Sequence, residues 1–275
     1  MARPSSKAWR SPPQRASGTI RDRSLGALDN APAELAHDPK TGNRYQRAYA
    51  QALGERAVLA HVAETYGPLF ESLTAQTGIP HEVHNYSEQQ SSENFRQTWL
   101  HLLPRLPAAR WWLAPSTGMP HVRVPCPAHA CGWAEKYAQR TFVQAGRSAA
   151  EIRAVCLHHG SYKVDLDTAT GNGYLDLATL YRNLVKELSL SGARETLHVM
   201  VKGGDWVFGS HLVDGALDAV GKPPRAPVRL FCPQIVTDTG AKLSKSLIRE
   251  GRVEMPAGAA PWVLDTRHWE GTPDD

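Results

Sequence analysis

Apolar residues change their period several times along this chain, and each change predicts an element. Residues 1–42 show no period, and up to residue 25 they are rich in Ser, Arg and Pro with Asp22 the one acid, which predicts a flexible basic N-terminal segment. From Asn43 the pattern turns helical. Tyr45, Tyr49 and Leu53 recur every four residues, and Tyr66, Leu69, Phe70 and Leu73 follow i, i+3, i+4, i+7, a spacing that gathers them on one helical face. Gly78-Ile79-Pro80 ends that helix. Glu82-Val83-His84 reads as a short strand. Ser91 or Ser92 is placed to cap a further helix carrying Phe95, Trp99, Leu100 and Leu103, which stops near Pro104. These apolar positions, together with Trp111-Trp112, are expected in the core, so 43–124 reads as a mainly helical segment.

Beyond residue 124 the pattern shortens. Thr141–Val143, Ile152–Val155 and Tyr162–Leu166 read as short strands inside an insertion spanning 125–167. Gly171-Asn172-Gly173 marks a turn. Asp176 is placed to cap an amphipathic helix bearing Leu177, Leu180, Tyr181, Leu184, Val185 and Leu188, closed by Ser191-Gly192. Leu197–Val201 reads as a buried strand. A helix with Leu212, Val213, Ala216, Leu217 and Val220 follows, ended at Gly221, and then the strand Val228–Cys232. Strand, helix, strand in this order predicts a β-α-β unit of a parallel sheet within 168–250, before a tail over 251–275. The fold class expected is α/β.

Composition narrows the field. The chain has 275 residues, 41% of them hydrophobic, and a net charge of +4 that permits an anionic ligand. No apolar run approaches the ~20 residues a membrane helix needs, and the basic start lacks the apolar core of a secretory signal. Four cysteines, three of them near histidines, suit a reducing, cytoplasmic compartment and metal ligation more than disulfides.

Three stretches carry candidate chemistry. Cys126, Cys131, Cys156 and His159 form two ligand pairs on turns between short strands, as in a zinc ribbon; His129 could replace Cys126, and His158 could replace His159. The C-x₄-C spacing is wider than the usual C-x₂-C. Gly203-Gly204-Asp205 follows a predicted strand, where glycines let a ligand approach the backbone and a carboxylate can accept from ribose hydroxyls. Thr239-Gly240-Ala241-Lys242-Leu243-Ser244-Lys245-Ser246 follows the next strand, and its lysines can neutralise phosphate charge.

Gly240 to Ser246 resembles the KMSKS signature of class I aminoacyl-tRNA synthetases. The order of Cys131-Gly132, Cys156 to Gly160 with Val164-Asp165, Gly171-Asn172-Gly173, Gly203 to Asp205 and Lys242 to Ser246 is most similar to class I lysyl-tRNA synthetases. The likeness covers roughly residues 66–250. It implies a Rossmann-like parallel sheet of the class I type with a zinc-ribbon-like insertion, binding ATP and an amino acid to form an aminoacyl-adenylate. By the resemblance, Lys242 and Lys245 would stabilise the departing pyrophosphate, Ser244 would support the loop, and Asp205 would hold the ribose with Gly203 and Gly204 making room. No HIGH-type motif precedes the insertion, and no anticodon-binding domain is found. tRNA and a protein supplying the missing half-domain are therefore the candidate partners, and an inert remnant that binds nucleotide, RNA or protein is the alternative.

Overall fold

The computed structural model describes residues 23–113, 122–145, 149–167, 175–192, 196–221, 223, 225–237, 240, 242–243, 247–248, 250–255, 258–263 and 268. The chain runs through β1 (Arg23–Ala27), β2 (Pro32–His37), β3 (Arg44–Ala48), α1 (Tyr49–Ala52), α2 (Glu55–Thr77) and β4 (His81–Asn85). Then come α3 (Tyr86–Ser91), α4 (Glu93–Leu102), α5 (Leu106–Leu113), β5 (Val122–Arg123), β6 (Trp133–Glu135), β7 (Phe142–Ala145), β8 (Ala149–Cys156) and β9 (Gly160–Asp167). Last are β10 (Asp176–Leu177), α6 (Thr179–Leu190), β11 (Val199–Gly203), α7 (Val207–Val220) and β12 (Val228–Cys232).

Among the described residues the strands make five small sheets, so the protein is mixed α/β. Two sheets are parallel pairs, β1 with β4 and β11 with β12. The others are antiparallel: β2-β3-β6, β7-β8-β9 and the short pair β5 with β10. The β11-α7-β12 unit has the expected order, and its strands pair from Val199 with Val228 to Gly203 with Cys232.

Several local expectations are met. Gly78 takes a left-handed φ of 67° at the end of α2 and returns its N–H to the Thr74 carbonyl at 2.8 Å. Ser92 caps α4, its Oγ accepting from Phe95 N at 3.4 Å. Phe95, Trp99, Leu100, Leu113, Ile152, Leu166, Leu177, Leu184, Val213 and Leu217 are all buried in one core. That core joins α4, α5, α6 and α7 to one face of the β7-β8-β9 sheet. The insertion is thus welded to the main body rather than hung from it.

Other expectations are corrected. Residues 23–37 lie in the stretch expected to be flexible, yet they form β1 and β2. Tyr45 belongs to β3, not a helix, because β3 is paired on both edges and buries Tyr45 and Gln46. Asp176 does not cap α6. It lies in β10, and Arg123 grips its carboxylate at 2.6 and 3.0 Å while Asn30 donates to it at 2.8 Å. Trp111 and Trp112 are 75% and 42% exposed rather than core. The Trp112 ring covers Gly215 of α7 so closely that a Cβ there would lie 2.3 Å from it. Finally, the outer face of the β11-β12 pair is open: Val199, Val201, Val228 and Leu230 are 47%, 66%, 44% and 54% exposed. The Gly171-Asn172-Gly173 turn lies outside the described residues.

Candidate metal centre and nucleotide loops

The first ligand pair is shaped by the loop between β5 and β6. Cys126 N donates to the Trp133 carbonyl at 3.1 Å, Cys131 N to Ala128 at 3.0 Å and Gly132 N back to Cys126 at 3.3 Å. The wide C-x₄-C spacing closes because Ala130 and Gly132 adopt left-handed φ values of 55° and 67°. At Gly132 glycine is also needed for space, since a Cβ would lie 2.7 Å from Gln51 Cβ. The second pair sits on the β8-β9 hairpin, where Cys156 is registered against Gly160 and His159 lies in the turn between them.

These turns bring the four side chains together. Cys131 Sγ is 3.5 Å from Cys156 Sγ, and His159 Nδ1 is 3.6 Å from both Cys126 Sγ and Cys156 Sγ. All four donor atoms lie within 4.8 Å of one another. A tetrahedral zinc with metal–sulfur bonds of about 2.3 Å and metal–nitrogen bonds of about 2.0 Å would separate its ligand atoms by about 3.5–3.8 Å. The cysteines are buried free thiols, and they form a satellite core with Ala128, Trp133 and Tyr162. The set could therefore hold a metal ion such as zinc. With four protein donors it leaves no open position, the pattern of a structural site. His129 and His158 stay outside the cluster, and His158 instead meets Trp133 edge-on at 6.2 Å.

The thiols are electrostatically unequal without metal. Burial pushes Cys126 up to about 12. Burial also works to raise Cys156, but the backbone N–H groups of His158 and His159 and the His159 ring outweigh it and bring it down to about 7. Three thiolates cannot share so small a buried space unaided; a dication would let all of them ionise.

The second centre lies at the carboxyl end of the β11-β12 pair. β11 ends at Gly203, and a 3₁₀ turn, Gly204–Trp206, leads into α7. Gly204 crosses the end of β12 so closely that a Cβ would lie 2.9 Å from the Cys232 carbonyl oxygen. After β12 the chain doubles back: Lys242 bridges antiparallel to Val236, and Leu243 N donates to the Ile235 carbonyl at 2.8 Å. Gly240 makes the turn with φ 80°. Lys242 Nζ then reaches Asp205 Oδ2 at 2.5 Å. That hydrogen bond holds the Asp205 carboxyl below its ordinary range, so it is ionised at neutral pH. Gly203, Gly204, Asp205 and Lys242 are thus brought together; Ser244 and Lys245 lie outside the described residues.

Among the described residues several buried polar groups were not anticipated from sequence, and two of them are ion pairs that tie elements together. One is the Arg123–Asp176 pair. The other is Glu187, fully buried on α6, whose carboxylate takes Arg229 at 2.5 and 3.1 Å and Lys202 at 3.5 Å. A charge inside each of two apolar patterns, Glu187 in α6 and Arg229 in Val228–Cys232, is the signal that could have suggested the second pair.

No protein-family model and no curated protein matches the chain. Among the described residues no helix is long and apolar enough to cross a membrane.

Proposed function

We propose that the protein is a cytoplasmic relative of class I aminoacyl-tRNA synthetases that activates an amino acid with ATP, the β11-α7-β12 unit serving as part of a Rossmann-like nucleotide-binding sheet. The observation that carries this reading is the contact of Lys242 with Asp205. Two loops 37 residues apart meet beyond the carboxyl ends of adjacent parallel strands, where open α/β sheets bind ligands. Asp205 would accept the ribose hydroxyls, and Gly204 would let the loop that carries it pack against the end of β12. Lys242, released from Asp205, would turn to the phosphates with Lys245, while Ser244 supports the loop.

In the proposed step a carboxylate oxygen of the amino acid attacks the α-phosphorus of ATP. The bond from that phosphorus to the bridging oxygen breaks, and pyrophosphate leaves with the electron pair. The protein needs no nucleophile; positioning and cationic stabilisation of the leaving group supply the catalysis. Transfer of the aminoacyl group to tRNA or another acceptor would follow. Zinc held by Cys126, Cys131, Cys156 and His159 would brace the insertion against the core.

One observation favours the alternative, a remnant that binds nucleotide, RNA or a protein partner without turnover. Among the described residues β11 and β12 pair only with each other, and their outer apolar face is open. A protein partner would cover such a face. ATP–pyrophosphate exchange, screened across the amino acids, tests the reading: exchange that disappears in Lys242→Ala/Lys245→Ala supports it. Exchange unchanged in that variant refutes the role of the loop, and a folded, nucleotide-binding chain without exchange leaves the remnant.

A further inference from the structure

Lys186 has no part in the reaction above, yet its setting is unusual. It lies on α6 one turn after Arg182, and both cations lie over the ring of Tyr86, Arg182 Cζ 4.3 Å and Lys186 Nζ 5.8 Å from its centre. Among the described residues Lys186 Nζ has neither a hydrogen bond nor an ion pair, although the residue is half-buried. Among the described residues the charges near it are mostly of its own sign: Arg182 and Lys202 oppose its ionisation, and Glu187 favours it. Glu187 is already committed to Arg229 and Lys202. Among the described residues, therefore, Lys186, Lys202 and Arg229 cluster near two carboxylates, Glu187 and Asp214, neither of which pairs with Lys186.

A cation withdrawn from water without a counter-ion is costly, and buried charges are normally paired. Burial and the like charges accordingly push Lys186 below the ordinary lysine range. Its position is as telling as its charge. Tyr86 directly follows the last residue of β4, and Lys202 directly precedes Gly203 at the end of β11. The cationic group thus stands beside the carboxyl ends of both parallel pairs, where open α/β sheets take their ligands.

We propose that Lys186, with Arg182 and Lys202 beside it, binds a small anion carrying a phosphate or a carboxylate group. Tyr86 is the aromatic platform that holds the two α6 cations in place, and Asn183 and Glu187 orient Lys202 from the other side. The site goes beyond the adenylate-forming reading, because it uses neither Asp205 nor Lys242.

Calorimetry on the full chain at low salt tests it, with inorganic pyrophosphate and L-glutamate as separate probes. At least one binds the natural chain; pyrophosphate identifies a phosphate ligand, glutamate a carboxylate ligand. Lys186→Gln weakens that binding about tenfold, the loss of one charge-assisted hydrogen bond. Lys186→Arg retains it, and Lys186→Gln weakens it equally in a Lys242→Ala/Lys245→Ala background, where the lysine loop no longer holds the probe, which separates the two sites. Without ligand, Lys186→Gln melts no lower than the natural chain, since it removes an unpaired charge. The proposal is overturned if the folded natural chain binds neither probe, or if Lys186→Gln binds as the natural chain does.

Discussion

Replacing Glu187 by alanine tests how the β11-β12 pair is fastened to the helices. Glu187 is fully buried, and its two oxygens take Arg229 at 2.5 and 3.1 Å and Lys202 at 3.5 Å. The side chains of Arg229 and Lys202 are only 11% and 12% exposed, so water cannot replace the lost carboxylate. Arg229 would keep Asp214 at 2.8 Å, but Lys202 would keep no carboxylate among the described residues at ion-pair distance, leaving it Asn183 at 3.4 Å and the face of Trp206 at 5.9 Å. Breaking a buried ion pair from one side costs about 3–5 kcal/mol. For a chain of this size that lowers Tm by roughly 10 °C. Thermal unfolding followed by circular dichroism reads the effect directly. The triple change Glu187→Leu/Arg229→Leu/Lys202→Met removes the charges together and should recover much of the loss, because the alanine penalty is mainly that of stranded cations. A fall of less than about 1 kcal/mol in Glu187→Ala, the value of an exposed pair, would refute the reasoning.

Further outcomes are expected. Purified protein from metal-replete medium carries about one zinc per chain by elemental analysis, as a single four-ligand site requires, and Cys156→Ser loses most of it; full zinc content in that variant would remove Cys156 from the set. Chelation lowers Tm in the natural chain but not in Cys156→Ser, and a chelator-insensitive Tm would show that the cluster is not held by metal. Gly204→Ala forces a Cβ to within 2.9 Å of the Cys232 carbonyl and should cost about 1–3 kcal/mol by chemical denaturation, with ATP binding lost; a neutral effect would mean the loop is not fixed against β12. Lys242 holds the Asp205 carboxyl below its ordinary value, so the pair contributes fully above that value and its contribution is lost as pH falls through the depressed one. Carboxyl NMR titration should therefore show Asp205 moving up in Lys242→Met, and an unchanged titration would break the contact proposed to close the site.

How much of this could be read from residues alone varied with the physics of each element. Helices α2, α4 and α7 announced themselves through period and caps, as with Ser92 at the head of α4 and Gly78 and Gly221 at the ends of α2 and α7. The metal ligands were legible because thiols and an imidazole on turns carry their chemistry in their type. Which histidine joins them was not: His158 and His159 are adjacent, and the register of the β8-β9 hairpin decides. β3 was misread as helix because its side chains respond to β2 and β6 on either side, a tertiary contact that local spacing does not encode. Asp176 looked like a cap for the same reason. It has the right position for one, but its partner Arg123 lies 53 residues away. The tryptophans of α5 and the valines of β11 were expected inside on hydrophobicity alone. Trp111, Trp112, Val199 and Val201 lie instead at the surface, as apolar residues commonly do.

The central claim is that the Gly203–Asp205 loop and the lysine loop form one nucleotide site, and calorimetric titration of the full chain with ATP tests it most directly. The account predicts saturable ATP binding by the natural chain, weakened in Lys242→Ala and in Asp205→Ala while both variants remain folded. Binding of equal strength in all three proteins, or none by the folded natural chain, would contradict it.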